Sequence, residues 1–134
     1  MVKAATKWID GERFAASASS GHAIIVDSAS DGRTASGPME LVLMALCACT
    51  STDVVIVLNK KRQPFTSLHV RAEAQRAETT PQVYTNIKLI YSVGGKVEKA
   101  AMEKAVRLSE EKYCSVSQML QKTAKISYEI EYLP

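Results

Sequence analysis

The longest apolar segment of the chain runs from Leu41 to Leu58 and is hydrophobic nearly all round, not along one stripe. Pro38 stands just before it and suits the first position of a helix, where its missing N–H would have no partner anyway. Glu40 places a carboxylate in the first turn, where the helix dipole favours negative charge. The pattern therefore predicts a helix from residue 38 to about 62 that is buried on every side.

The β-branched run Val54–Val57 lies inside this helix, although its propensity alone would favour a strand. No turn signal separates it from the apolar residues before it, so we assign it to the helix. Alternation and turn residues elsewhere predict six strands at 3–9, 14–19, 22–26, 66–77, 82–93 and 125–133. Helical spacing predicts an amphipathic helix at 96–113, and Ser115 with Gln118 has the capping-box form of a further short helix.

The order βββ–α–ββ–α–α–β is typical of an α+β protein, and 134 residues favour one domain spanning 1–134. A central helix that is apolar on all sides needs cover from every direction, and one three-stranded sheet cannot wrap it. Either the second sheet or a second copy of the chain must complete the cover. An intimate homodimer is therefore expected.

The apolar run is long enough to raise the question of a membrane span. Asp53 and the polar residues at 50–52 argue against one, because a central Asp costs roughly 2.5–3.5 kcal/mol on insertion scales. We expect a core helix of a soluble protein with no membrane partner. The net charge of +3 is too small to indicate a nucleic-acid partner, and no binding motif for one is present. Three cysteines without a secretion signal favour the reducing cytoplasm.

Cys47 and Cys49 lie in the middle of the predicted central helix, about 200° apart around its axis. They cannot bond to each other, and their spacing is a poor zinc motif, so no metal or other cofactor is expected. Cys49 shares its face with Asp53, so any activation as a thiolate must come from a cation brought in by folding. The candidates are Arg13, Arg33 and Arg107.

Cys114 immediately precedes the predicted capped helix, where exposed N–H groups stabilise an anion. Local sequence therefore makes Cys114 the more acidic thiol. Residue chemistry alone leaves open whether any cysteine is functional, because free cysteines mostly pack as small hydrophobic residues. We interpret Cys47 as such a packing residue, and Glu110 and Glu111 as a solvated helix face.

Two stretches resemble the motifs of the OsmC/organic hydroperoxide resistance superfamily. The first motif is Gly37-Pro38-Met39-Glu40-Leu41, followed by Cys49 eleven residues after the proline. The second is Leu108-Ser109-Glu110-Glu111-Lys112-Tyr113-Cys114-Ser115-Val116-Ser117. The similarity extends over nearly the whole chain, and Lys7-Trp8-Ile9 and Ser20-Gly21-His22 add a resemblance to the YhfA-type branch.

This resemblance implies two antiparallel sheets wrapped around long central helices in an intertwined homodimer. It also implies a thiol-dependent peroxidase of oxidative-stress defence, in which Cys49 reduces an organic hydroperoxide and becomes a sulfenic acid. Cys114 then condenses with it to a disulfide, and a thiol reductant, dihydrolipoyl-type or other, restores both thiols. By the same resemblance Arg13 and Glu40 are supporting residues.

The chain departs from the family pattern at Met39, where relatives carry a Glu directly after the proline, whereas Glu40 comes one position later. The second motif often has proline after its cysteine, and here Ser115 stands there. The resemblance also implies a pocket at the dimer interface, and Met39 in place of an acid makes that pocket more apolar. An alternative function is therefore a non-enzymatic protein that binds a small apolar ligand in that pocket. A purely structural dimer and a cysteine-dependent hydrolase are further alternatives.

Overall fold

The protein is described by a computed structural model that covers residues 1–134. The chain divides into two compact units, Met1–Met44 and Ala45–Pro134. The first unit is an antiparallel meander of three strands in the order β1-β2-β3, with bounds β1 Ala4–Asp10, β2 Arg13–Ala18 and β3 Ala23–Asp27. Gly11 turns the first hairpin with φ +47°, a backbone conformation that glycine adopts at little cost. The predicted N-terminal meander is therefore confirmed.

Helix α1 spans Pro38–Lys60, and the division between the units falls within it. The β-branched segment is helical, as predicted. The prediction that this helix is buried on every side is wrong for the single chain, because its fully buried side chains form one stripe at i, i+4 spacing. That stripe is Leu46, Thr50, Val54 and Leu58. By length and composition α1 is the one helix that could cross a membrane, and 28% of its most apolar window is buried.

The second unit contains a three-stranded sheet in the order β4-β5-β6, with bounds β4 Phe65–Arg76, β5 Tyr84–Gly95 and β6 Lys125–Tyr132. Strands β4 and β5 are antiparallel, but β5 and β6 are parallel, so the expectation of two purely antiparallel sheets needs correction. Parallel neighbours require a long crossover. The helical residues between β5 and β6 supply it and carry the chain back to the end where β5 begins.

This crossover contains α2 (Lys99–Leu108), a π-helical turn (Ser109–Tyr113) and α3 (Ser115–Leu120). The sequence predicts a single helix over 96–113, but the α-helix begins at Lys99 and its last turn widens into the π-helical geometry. In that turn the backbone N–H of Cys114 donates to the carbonyl of Ser109, five residues earlier, at 2.9 Å.

The core of the second unit lies between β5, α1 and α2. Strand β5 contributes most of it, since nearly all of its apolar side chains are fully buried: Ile87, Leu89, Ile90, Tyr91 and Val93. Helix α2 adds Met102, Ala105 and Val106, and α1 adds its buried stripe. The α+β class with two sheets and a long helix is confirmed.

Candidate functional site

The three thiols occupy different environments. Cys47 and Cys49 are half-buried on α1, and Cys114 is fully buried after the π-helical turn. Burial raises the pKa of Cys47, which keeps its thiol protonated and agrees with a packing role. All three are free thiols.

Cys114 is itself the N-cap of α3. Its backbone is extended (φ −75°, ψ 102°), and its Sγ accepts a hydrogen bond from the backbone N–H of Ser117 at 3.3 Å. The capping box predicted at Ser115 is therefore displaced by one residue, because Ser115 is already the first helical residue.

Cys49 and Cys114 are brought together within the second unit, close enough for Cys49 to act on the pKa of the Cys114 thiol. Burial is the largest cause that raises the pKa of Cys114 to about 12, and Cys49 and Glu110 raise it further. The hydrogen bond from the Ser117 N–H acts in the opposite direction and lowers this pKa. The local expectation that Cys114 is the more acidic thiol is therefore wrong. One capping N–H does not compensate for removing the sulfur from water. Cys114 stays protonated at neutral pH.

A buried polar network lies beside this thiol pair, and sequence reasoning missed it. The Thr50 hydroxyl is 2.6 Å from the Tyr91 hydroxyl and 2.8 Å from the Ser109 hydroxyl. Ser109 Oγ is 2.8 Å from Asp53 Oδ2, and the Tyr91 hydroxyl is 3.1 Å from Glu110 Oε1. No buried side-chain nitrogen or oxygen in the protein lacks a partner.

Glu110 connects the network to α3. Its Oε2 accepts from Ser117 Oγ at 3.0 Å, and its backbone carbonyl accepts from the side-chain amides of Gln118 and Gln121 at 2.9 and 3.0 Å. Burial is the first cause that raises the pKa of Glu110, and it also raises that of Tyr91. The expectation that Glu110 belongs to a solvated face is wrong. The π-helical turn rotates Glu110 inward, and no local sequence signal marks that turn.

The two predicted supporting residues lie in the first unit. The guanidinium of Arg13 donates to both carboxylate oxygens of Asp10, at 2.7 and 2.6 Å. Glu40 Oε1 accepts from Arg33 Nη1 at 2.8 Å and from the backbone N–H of Gly37 at 3.0 Å. A Cβ at Gly37 would lie 2.6 Å from Arg33 Nη1, so the glycine of the first motif makes room for this arginine. The supporting roles of Arg13 and Glu40 stay predictions.

A cavity of about 530 Å³ lies in the second unit, next to Asp53. Its wall combines apolar side chains with three lysine ammonium groups and one carboxylate: Asp53, Ile56, Val57, Lys60, Lys61, Lys104, Leu108 and Tyr113. Asp53 lies one helical turn beyond Cys49 on the same face of α1, and Tyr113 precedes Cys114. The protein contains no group of three or more His, Cys, Asp or Glu side chains that could hold a metal ion.

The OsmC-like protein family matches residues 30–129 of this chain. Protein YhfA of Escherichia coli (strain K12) is 41% identical to it over 131 residues, which cover 97% of each chain. The chain therefore belongs to the OsmC-like family, as its two motifs predict.

Solved structures share the fold. A hypothetical protein from Aquifex aeolicus VF5 is 33% identical and matches with a TM-score of 0.85, covering 100% of this chain and 98% of that one. The organic hydroperoxide resistance protein OsmC from Legionella pneumophila matches with a TM-score of 0.74 at 16% identity, covering 98% and 96% of the two chains. At that identity the likeness shows the fold alone.

Proposed function

We propose that the protein is a thiol-dependent peroxidase that reduces organic hydroperoxides with Cys49 and resolves the product with Cys114. The observation that carries this proposal is the closeness of the two thiols, one on α1 and one at the start of α3, at which Cys49 acts on the pKa of Cys114. Membership of the OsmC-like family supports it. The Legionella pneumophila protein, which has the same fold, is named for organic hydroperoxide resistance.

In the first step the Cys49 thiolate attacks the outer oxygen of the hydroperoxide. A sulfur–oxygen bond forms, the oxygen–oxygen bond breaks, and the alkoxide leaves and takes up a proton to become an alcohol. Sulfur is oxidised to a sulfenic acid and the peroxide is reduced. The Cys114 thiol, whose pKa burial raises to about 12, stays protonated during this step.

In the second step Cys114 attacks the Cys49 sulfenic sulfur. A disulfide bond forms, the sulfur–oxygen bond breaks, and the hydroxide leaves as water with the proton that Cys114 gives up. The two thiols already lie close to each other, so this step joins neighbouring sulfurs. An external dithiol then reduces the disulfide by two successive thiol–disulfide exchanges, and is itself oxidised to a disulfide.

The test is consumption of cumene hydroperoxide by the reduced protein in a single turnover, followed by stopped flow. Cys49→Ser should abolish the reaction, whereas Cys114→Ser should still consume one equivalent and stop at a sulfenic acid that dimedone traps. Cys47→Ser is the matched control, because its thiol lies on the same helix but faces away, and it should react like the wild type. Equal consumption by the wild type and Cys49→Ser would overturn the proposal.

Two further parts of this proposal concern the location of the protein and its assembly. We propose that it is cytoplasmic, since its three thiols are free and two of them must return to the reduced state in each cycle. We also propose that it is a homodimer in which a second copy covers the apolar surface that the single chain exposes. Trp8 is 64% exposed and Ile24 51% exposed, which is unusual for side chains of this size in paired strands.

The cavity favours a second candidate function, a protein that binds a small ligand without reacting with it. The cavity lining combines apolar side chains with three lysines, which outnumber its one carboxylate, Asp53, and this lining fits an apolar molecule that carries an acidic group. Native mass spectrometry of the purified protein would detect a retained ligand of this kind. Retained ligand together with thiols that ignore hydroperoxide would favour binding over catalysis, and Ile56→Trp, which narrows the cavity, should then release it.

A further inference from the structure

The network beside the thiol pair contains four contacts in a row between two carboxyl groups. The three hydroxyls that connect the carboxyls, here called the hydroxyl chain, are Tyr91, Thr50 and Ser109. One end of the hydroxyl chain meets Glu110 Oε1 and the other meets Asp53 Oδ2. Every link is between 2.6 and 3.1 Å, so each is a hydrogen bond that needs its own hydrogen.

Counting hydrogens shows that the hydroxyl chain cannot supply all four links. Each hydroxyl carries one hydrogen, which gives three, and an ionised carboxylate only accepts. If both carboxyls were ionised, Tyr91 would donate to Glu110 and Ser109 to Asp53. The hydrogen of Thr50 would then have to serve two links at once. One of the two carboxyl groups must therefore carry the fourth hydrogen.

We propose that the two carboxyl groups share a single proton through the hydroxyl chain, and that Glu110 thereby acts as a positioning residue for Cys114. With the proton on Glu110, every hydroxyl donates toward Asp53. With the proton on Asp53, every hydroxyl donates toward Glu110. Both arrangements satisfy all four links, and they differ in the charge beside Cys114.

Burial decides between the two arrangements at neutral pH. Glu110 is 8% exposed, whereas Asp53 lines the cavity and is half-buried, so the proton resides on Glu110. The charged and titratable groups that act on Glu110 come from three elements: Asp53 on α1, Tyr91 on β5 and Cys114 at the α3 cap. Burial is the largest influence on the pKa of Glu110 and raises it, and the Asp53 charge raises it further, whereas the hydrogen bonds from Ser117 and Tyr91 lower it.

The position of the proton matters for Cys114 because Glu110 holds the start of α3 and lies close enough to act on the thiol. Ser117 donates its hydroxyl to Glu110 and its backbone N–H to Cys114. A neutral Glu110 keeps this arrangement without placing an anion beside the resolving sulfur. An ionised Glu110 raises the pKa of Cys114 and so opposes the loss of its proton in the disulfide step.

The first test needs no catalytic activity. Carbon-detected NMR titration of the reduced full-length protein would follow the Glu110 carboxyl, which Glu110→Gln identifies by its loss. We expect it to be protonated at neutral pH. Thr50→Val leaves two links and two hydroxyl hydrogens, so the need for the fourth hydrogen disappears and Tyr91 can donate fully to Glu110. In Thr50→Val the midpoint of the Glu110 titration should therefore move to lower pH.

Tyr91→Phe distinguishes the shared proton from simple burial, because it also removes one hydroxyl but takes away the donor to Glu110. In Tyr91→Phe the midpoint of the Glu110 titration should stay high or rise, whereas in Thr50→Val it should fall. Glu111→Gln is the matched control on the exposed side of the same turn, and should change neither titration nor kinetics. An ionised Glu110 in the wild type at neutral pH, or midpoint shifts in the same direction in both hydroxyl variants, would overturn the inference.

The second test rests on the proposed peroxidase function. After one equivalent of hydroperoxide, the rate of disulfide formation is measured against pH in the wild type and in Glu110→Gln, whose amide supplies the fourth hydrogen at every pH. The ratio of the variant rate to the wild-type rate should rise above the Glu110 midpoint. A rise of one unit in the Cys114 pKa corresponds to a tenfold loss of thiolate, so the ratio should rise by up to about tenfold.

If the ratio of the Glu110→Gln rate to the wild-type rate does not change with pH while Glu110 is protonated, the positioning role of Glu110 is overturned. The sharing of the proton would then stand without it. If no variant or wild-type protein consumes hydroperoxide, the proposed function fails, while the titration still decides whether the proton is shared. The two failures are therefore distinguishable.

Discussion

The two units of the protein each contain a three-stranded sheet, but only the second builds a core around it. In the first unit β1 is exposed along its whole length, and Val26 is the one fully buried apolar side chain. In the second unit β5 is buried on both faces over residues 89–94. The comparison teaches that two sheets with the same number of strands can differ greatly in how far their own unit buries them.

The strand register shows which apolar side chains share one face of the first sheet. Directly paired residues point to the same face, and Trp8 pairs with Phe14, which pairs with Val26. Ile24 and Ala16, two residues further along their strands, join them. These five residues form the apolar face of the first sheet. We expect the second copy of the chain to cover it.

The largest effect should come from placing charge on that face. Trp8→Lys combined with Ile24→Lys should convert the dimer into a monomer, because two ammonium groups would be buried without partners. Sedimentation velocity without detergent measures the mass directly. Ser17→Lys places the same charge on the opposite face of the sheet and should leave the dimer intact. A wild-type protein that sediments as a monomer would contradict the proposed assembly.

A smaller effect is expected from a core truncation in the second unit. Leu89→Ala on β5 removes a fully buried side chain and should cost about 2–5 kcal/mol of unfolding free energy. Ile25→Ala on β3 removes a side chain that is 47% exposed, and should cost about 1 kcal/mol or less. Denaturant titrations at one protein concentration give both values. Equal costs would show that the first sheet has a core as tight as the second.

The smallest effect concerns how the first unit holds its long loop. Asp27 accepts hydrogen bonds from the backbone N–H groups of Thr34 and Ala29 and from the Thr34 hydroxyl, and these bonds lower its pKa. A lowered pKa in the folded state contributes stability above the unfolded value of about 3.9, and this is lost as the pH falls through the folded value.

Asp27→Asn should therefore lower the Tm at neutral pH by less than Leu89→Ala does, and the difference from the wild type should shrink as the pH falls through the folded Asp27 pKa. Asp31→Asn, an exposed residue of the same loop, serves as the control in thermal melts across pH. A difference that stays constant into acid would mean that the Asp27 charge is not what holds the loop.

Much of the fold could be predicted because its signals are local. Pro38, the apolar run after it and the absence of a turn at 54–57 are enough to define α1, and alternation is enough for the strands. The parallel pairing of β6 is not local, since it depends on where the crossover returns the chain. Helical rotation alone separates Cys47 from Cys49, whereas the pairing of Cys49 with Cys114 came from the resemblance of two distant motifs.

The chemistry of the site was harder to predict than its residues. The acidity expected for Cys114 considers only the helix that begins beside it, whereas the surrounding core determines its pKa. Thr50, Tyr91 and Ser109 are ordinary residues in their own segments and form the hydroxyl chain only when α1, β5 and the π-helical turn pack together. Such burial is a property of the folded chain, so no window of sequence contains it.

The π-helical turn also determines the direction, around the helix axis, in which the residues after it point. Its closing bond, from Cys114 back to Ser109, spans one residue more than an α-helical bond. Deleting a single exposed residue from the turn, Glu111 or Lys112, would let ordinary α-helical geometry return at little cost in surface contacts. Such a chain would keep every cysteine, hydroxyl and carboxyl of the site, yet present Cys114 about 100° away around the helix axis. In this protein a count of residues, as much as their identity, encodes where the second thiol points.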